Sequence, residues 1–146
     1  MFFGVNNFSK ALQWINKILN EDYTKDERGL FVACRLLNLI IHFELGNKDL
    51  LEHVLKSANY FPFPLEELNK IEITLFNFIK SLQKINEPKE LKMEFSRIKE
   101  EITPLLKGES GKNAFLYFDY LSWIESKIEK KSFGEIIRNK ALLSKK

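Results

Sequence analysis

The chain has 146 residues, 45% apolar and 29% charged, which suits one domain with a hydrophobic core that needs no disulfide or metal support. All of its net charge of +3 lies in residues 101–146, with nine basic against six acidic side chains, while 1–50 carry six of each and 51–100 eight of each. Signs that alternate in this way read as solvated surface rather than a concentrated nucleic-acid footprint, and six Gly with four Pro disfavour a β-rich fold of many tight turns.

Apolar side chains recur with helical period along nearly the whole chain. Ala11, Leu12, Trp14, Ile15, Ile18 and Leu19 form an i, i+3, i+4, i+7 stripe, so a first helix is predicted over 7–20, capped by Asn7 and ended by Asn20-Glu21-Asp22. A second is predicted over 26–45, stopped by Gly46 in a left-handed turn. The third, 49–59, takes Asp49 as cap and buries Leu50, Leu51, Val54, Leu55 and Ala58. Two prolines in 59–64 then break the chain. The fourth, 64–85, has Pro64 in its first turn and the apolar set Leu65, Leu68, Ile71, Leu75, Phe78, Ile79 and Leu82. The fifth, 88–103, buries Leu91, Phe95, Ile98 and Ile102 and either kinks or ends at Pro104. A loop at 108–111 leads to the sixth, 113–130, and a short seventh covers 133–142. The expected fold is therefore a single all-α domain spanning 1–146, an array of about seven antiparallel helices joined by short links.

Asn7-Phe8-Ser9-Lys10-Ala11 resembles the start of the second helix of a tetratricopeptide repeat, with an aromatic three residues before a small one and Ile15 and Ile18 at later packing positions. Gly46-Asn47-Lys48-Asp49 with Leu51, Leu55 and Ala58 resembles the same turn, and Lys130-Lys131-Ser132-Phe133 with Ile136 is a third echo. The copies are degenerate: Lys48 stands in the aromatic place and Leu51 in the small one, Ala11 and Leu51 are 40 positions apart, and the first-helix pattern of Trp, Leu-Gly and Tyr is absent from 30–45. The usual repeat is about 34 residues. The resemblance implies a tetratricopeptide-like right-handed α-solenoid with helices two and three, four and five, and six and seven as pairs. Stretches 14–19, 37–46 and 118–128 also look like those of uncharacterised Bacteroidetes proteins that end in such repeats, which implies a bacterial origin. In this register the first helix is half a pair. The expectation is a C-terminal piece of a longer protein, or self-association through that end, since repeat arrays need capped ends.

Arg35, Asn38 and His42 interrupt the otherwise apolar second helix on one narrow face, with Arg28 a further seven residues back. First helices of such pairs line the concave surface, so this stripe reads as a peptide-binding groove or, alternatively, as the ordinary solvent edge of a covered helix. Helix four offers Asn69, Lys70, Thr74, Asn77 and Lys84, and helix six offers Asp119, Ser122, Ser126 and Glu129 beside Tyr117, Tyr120 and Trp123. Arg35, Asn38, His42, Asn77, Asp119 and Ser122 are the partner-binding candidates, and Trp14 and Trp123 are read as packing.

Catalytic signals are missing. His42 and His53 sit on different helices, paired cysteines and H-E-x-x-H are absent, and 108–112 has neither the spacing nor the preceding strand of a phosphate loop. Neither cofactor nor metal is expected. Cys34, the only cysteine, lies in an apolar stretch and reads as a small buried hydrophobe. The N-terminus has no signal-peptide pattern, and the apolar run 39–43 around His42 is far too short to span a bilayer, so a cytoplasmic setting is expected. Three functions follow in order: a non-catalytic scaffold for a protein or peptide; a structural module packed on its own chain or a second copy; and nucleic-acid binding through Lys127, Lys130, Lys131, Arg138, Lys140, Lys145 and Lys146, weakened by Glu125, Glu129 and Glu135.

Overall fold

The computed structural model describes residues 8–19, 28–56, 69–108 and 118–144. Within them the chain forms seven α-helices, one 3₁₀ helix and no strand: α1 (Phe8–Leu19), α2 (Arg28–Glu44), α3 (Lys48–Leu55), α4 (Lys70–Leu82), α5 (Pro88–Ile102), the 3₁₀ helix Thr103–Lys107, α6 (Tyr120–Glu129) and α7 (Phe133–Ser144). None of these helices is long and apolar enough to cross a membrane. The expected Asn7 cap and the expected helical stretches at 20, 26–27, 57–59, 64–68 and 113–117 lie outside the described residues.

The second helix is the centre of the core because it is apolar nearly all round. Val32, Leu36, Leu39, Ile40 and Ile41 are essentially sealed from solvent, and α1, α3 and α4 all pack on it. Cys34 is buried there too, and burial pushes its thiol pKa up, away from reactivity. Gly46 ends the helix as expected, at φ 74°. Asn47 N–H reaches back to His42 O at 3.0 Å and Gly46 N–H to Phe43 O at 3.1 Å, the two bonds of a Schellman stop. The same turn starts α3, which moves the expected cap: Asn47, not Asp49, holds the N-cap position, and Asp49 sits in the first turn. Only Leu51 of α3 is fully buried, so this helix lies along the surface of the core.

Two helices begin later than the sequence pattern predicts, and capping explains both. Asn69 is extended (ψ 167°) and caps α4: its Oδ1 accepts from Glu72 N at 2.8 Å, while Glu72 Oε1 accepts from Asn69 N at 2.9 Å. This reciprocal box satisfies two amides that a helix start otherwise leaves unpaired. Asp119 caps α6 by a single bond, its carboxylate accepting from Ser122 N at 3.0 Å, so Phe118 and Asp119 are outside the helix expected to contain them. The expected buried faces of α4 and α5 hold in part: Leu65 and Leu68 lie outside the described residues, and Leu91 is only partly buried. Ile71, Leu75, Phe78, Ile79 and Leu82 on α4, and Phe95, Ile98 and Ile102 on α5, are all at or below 2% exposure. At Pro104, where no N–H is available, α5 tightens into the 3₁₀ helix.

Aromatic rings tie the helices across long separations. Phe78 and Phe95 meet edge to face at 5.1 Å, Phe95 and Trp123 at 5.3 Å, and Phe43 lies 6.3 Å from Trp123. Each geometry suits the ring quadrupole. Through Phe43 and Glu44 the end of α2 therefore touches α6 as well as its neighbours in sequence. Along α5 and α6 the contacts keep one order: Phe95 with Trp123, Lys99 with Glu125, and Thr103 and Pro104 beside Ile128. Trp14 departs from its expected packing role. It is 55% exposed on α1, with the Lys17 ammonium 5.5 Å above its ring.

Candidate functional site

The expected inner stripe divides into different fates. Arg35 is half-buried, its guanidinium 5.0 Å from the Phe31 ring centre on the same helix. Asn38 is also half-buried. His42 is half-buried at the helix end, with Nδ1 3.1 Å from the side-chain nitrogen of Asn47, and burial lowers its pKa from the ordinary 6.5. Asn77 is exposed on α4, whereas Asn69 is consumed in capping and Lys84 lies in the turn beyond the helix.

Asp119 and Ser122 belong to the frame of α6. Ser122 has no exposed surface, donates its hydroxyl to Asp119 Oδ2 at 2.6 Å and receives Lys140 Nζ at 2.8 Å. Ser126 is buried as well, its hydroxyl bonded to Trp123 O. Residues with polar side chains and helical spacing look alike whether they face a partner or brace a helix start. The capping geometry separates the two.

Glu125 clips three helices together. Lys140 of α7 lies 2.5 Å from its Oε1, and Lys99 of α5 3.1 Å from its Oε2. Burial alone raises the Glu125 pKa, but the hydrogen bonds and charges of Lys140 and Lys99 outweigh it, leaving the carboxyl below its ordinary 4.5. Those lysines are thereby partly engaged within the fold.

The arrangement best suited to hold something else is a cavity of about 330 Å³ where α1, α2, α6 and α7 converge. Phe8, Phe133 and Trp123 supply aromatic walls, and Lys127, Lys130 and Lys131 supply charge. Glu44 is its only acid. Its Oε1 accepts the Trp123 indole N–H at 2.8 Å and its Oε2 accepts Lys127 Nζ at 2.7 Å, so both are already engaged. Three lysines against one carboxylate leave the lining positive by two, carried at Lys130 and Lys131, both exposed.

Local chain geometry places those lysines. Lys130 closes α6 at φ 57°, the only non-glycine residue with positive φ among those described. Such a backbone costs an ordinary side chain about 1 kcal/mol or more and normally selects glycine. Lys131 N–H then returns to Ser126 O at 3.1 Å, and Ser132 Oγ accepts from Glu135 N at 3.1 Å to start α7. The tight link thus holds two cations and a phenyl ring at one cavity edge. In the sequence these residues form two separate signals, a repeat echo at 130–133 and a basic C-terminal end, and the left-handed stop at Lys130 joins them. Phe8, the aromatic of the first echo, lines the same cavity as Phe133, the aromatic of the third.

No cluster of three or more His, Cys, Asp or Glu that could hold a metal occurs among the described residues. Comparison with protein families, curated proteins and solved structures gives no match for this chain.

Proposed function

We propose that this protein is a non-catalytic binding scaffold, and that it holds an acidic segment of another protein in the cavity between α1, α2, α6 and α7. The observation that carries this reading is the excess positive charge of Lys130 and Lys131 beside the partly exposed rings of Phe8 and Phe133. Aromatic anchors beside unneutralised cations are the features that give a protein contact its affinity and its choice of partner. The left-handed backbone at Lys130 adds weight, because strain that glycine would relieve is retained where a side chain is useful.

The tetratricopeptide-like reading is kept as part of this proposal. Its support is that α2 packs on α3, α4 on α5 and α6 on α7, while α2, α4 and α6, the first helices of those pairs, supply the large aromatic and aliphatic core. The cavity draws Glu44 and Trp123 from two of these inner helices. Contact between α2 and α6 makes the array more gathered than an open superhelix, and the contact order along α5 and α6 departs from a strictly antiparallel series.

The test is calorimetric titration of the whole chain with a Glu-rich peptide containing a central Phe. Binding is expected to weaken with salt and to fall by about tenfold or more in K130E/K131E at unchanged Tm. Equal binding by wild type and the charge-reversed variant would end the proposal, as would capture of a single-stranded oligonucleotide in preference to the peptide. Self-association is the second reading, favoured by the exposed Trp14 on α1. It requires a dimer in sedimentation that Trp14→Ala dissolves.

A further inference from the structure

On another side of the α2 terminus lies a smaller cavity of about 150 Å³, formed by the end of α2, the Gly46 turn, α3 and the end of α4. Phe43, Leu51, Leu82 and Ile85 give it apolar walls. Its polar side chains are His42, Lys48 and Gln83, and no carboxylate lines it. The Gln83 side-chain nitrogen is buried without a hydrogen-bond partner. Asn47 presents its amide nitrogen to His42 Nδ1, so a neutral imidazole here accepts at Nδ1 and carries its proton on Nε2. Lys48 gives one hydrogen to Asn86 and has two more. Glu52 and Asp49 lie on the far side of Lys48, in the adjoining cavity, so within this space itself the donors and the positive charge meet no carboxylate, and it calls for an acceptor carrying negative charge. Its size matches about five waters and falls below the roughly 300 Å³ typical of larger ligands.

We propose that this cavity binds a short-chain monocarboxylate such as butyrate, the carboxylate held by Gln83 and Lys48 and the alkyl stem packed among Phe43, Leu51, Leu82 and Ile85. The His42 ring borders the same space. The site is independent of the basic aromatic cavity, which uses none of these side chains. It also answers why a buried amide donor is kept at a helix end: bound carboxylate satisfies it, and the empty site leaves it unmet.

The experiment is NMR titration of the whole chain with butyrate at constant ionic strength, with butyramide and butylamine as controls. Butyrate is expected to shift the His42 ring and the Gln83 side-chain amide in a saturable way, while the amine does neither and the amide binds at least about tenfold more weakly. Gln83→Glu, isosteric but anionic, should weaken butyrate by about tenfold or more. Lys48→Met, at an exposed position, should weaken it similarly, with Tm read alongside to separate lost binding from the lost Asn86 contact, and K130E/K131E should change nothing. Absence of saturable shifts with butyrate overturns the proposal. So does equal binding of butyramide, undiminished affinity in both Gln83→Glu and Lys48→Met, or binding confined to a peptide ending in valine.

Discussion

Trp14 and Trp123 occupy similar places in the sequence pattern and opposite places in the molecule. Each is an indole on an amphipathic helix beside aliphatic residues at helical spacing. Trp123 is 1% exposed, faces Phe43 and Phe95, and donates its N–H to Glu44 on a helix nearly eighty residues earlier. Trp14 is 55% exposed and meets Lys17 one turn away. Periodicity identifies which residues share a face. What covers that face depends on elements far away along the chain, and α6 is surrounded by α2, α5 and α7 where α1 packs chiefly on α2.

The largest expected effect breaks this pair apart. Trp123→Ala should lower stability by about 3–5 kcal/mol through loss of burial and the cavity left behind, read by chemical denaturation. Trp14→Ala should stay within about 0.5 kcal/mol on the same measurement. Similar losses at both sites would mean that Trp14 is as covered as its counterpart.

Next comes the helix start that displaced the predicted boundary. Asn69→Ala removes one half of the capping box and should cost about 1 kcal/mol. An unchanged denaturation midpoint would show that α4 does not depend on this cap.

Acid sharpens the contrast between the clipped end of the molecule and the exposed first helix. Because Glu125 titrates below its ordinary value when folded, its pairs with Lys140 and Lys99 stabilise the protein above about pH 4.5, and the contribution disappears as pH falls through the folded-state value. A Tm profile against pH should therefore drop less steeply below that point in Glu125→Gln. Parallel profiles would remove Glu125 from the account. The smallest effect is at the α6 stop: Lys130→Gly should raise stability by a fraction of about 1 kcal/mol, since glycine tolerates φ 57°, while weakening the acidic peptide.

Much of the fold was legible because its cause is local. The stripes Ile71–Leu75–Phe78–Ile79–Leu82 and Phe95–Ile98–Ile102 are buried as their spacing required, and Gly46 stops α2 where the pattern stopped. Helix starts were less legible. Asn69 and Asp119 read as polar face residues until their side chains turned back onto the amides of Glu72 and Ser122. Of the partner-binding candidates, Asp119 and Ser122 bond to each other and Ser122 is sealed, while Arg35, Asn38, His42 and Asn77 retain some exposure. The basic aromatic cavity was present in the sequence only as scattered parts, Phe8, Glu44, Trp123 and the 130–133 turn, because its walls come from four helices.

By itself, then, the sequence determined the helices of the described residues, the identity of most of their buried faces and the glycine stop, since hydrophobic period and backbone freedom act within a few residues. Only the tertiary structure decided which indole is covered, which polar residues became caps, and that Lys130 and Lys131 share a cavity with aromatic rings. Those outcomes depend on contacts between residues tens of positions apart, and no local preference encodes which distant surface will arrive.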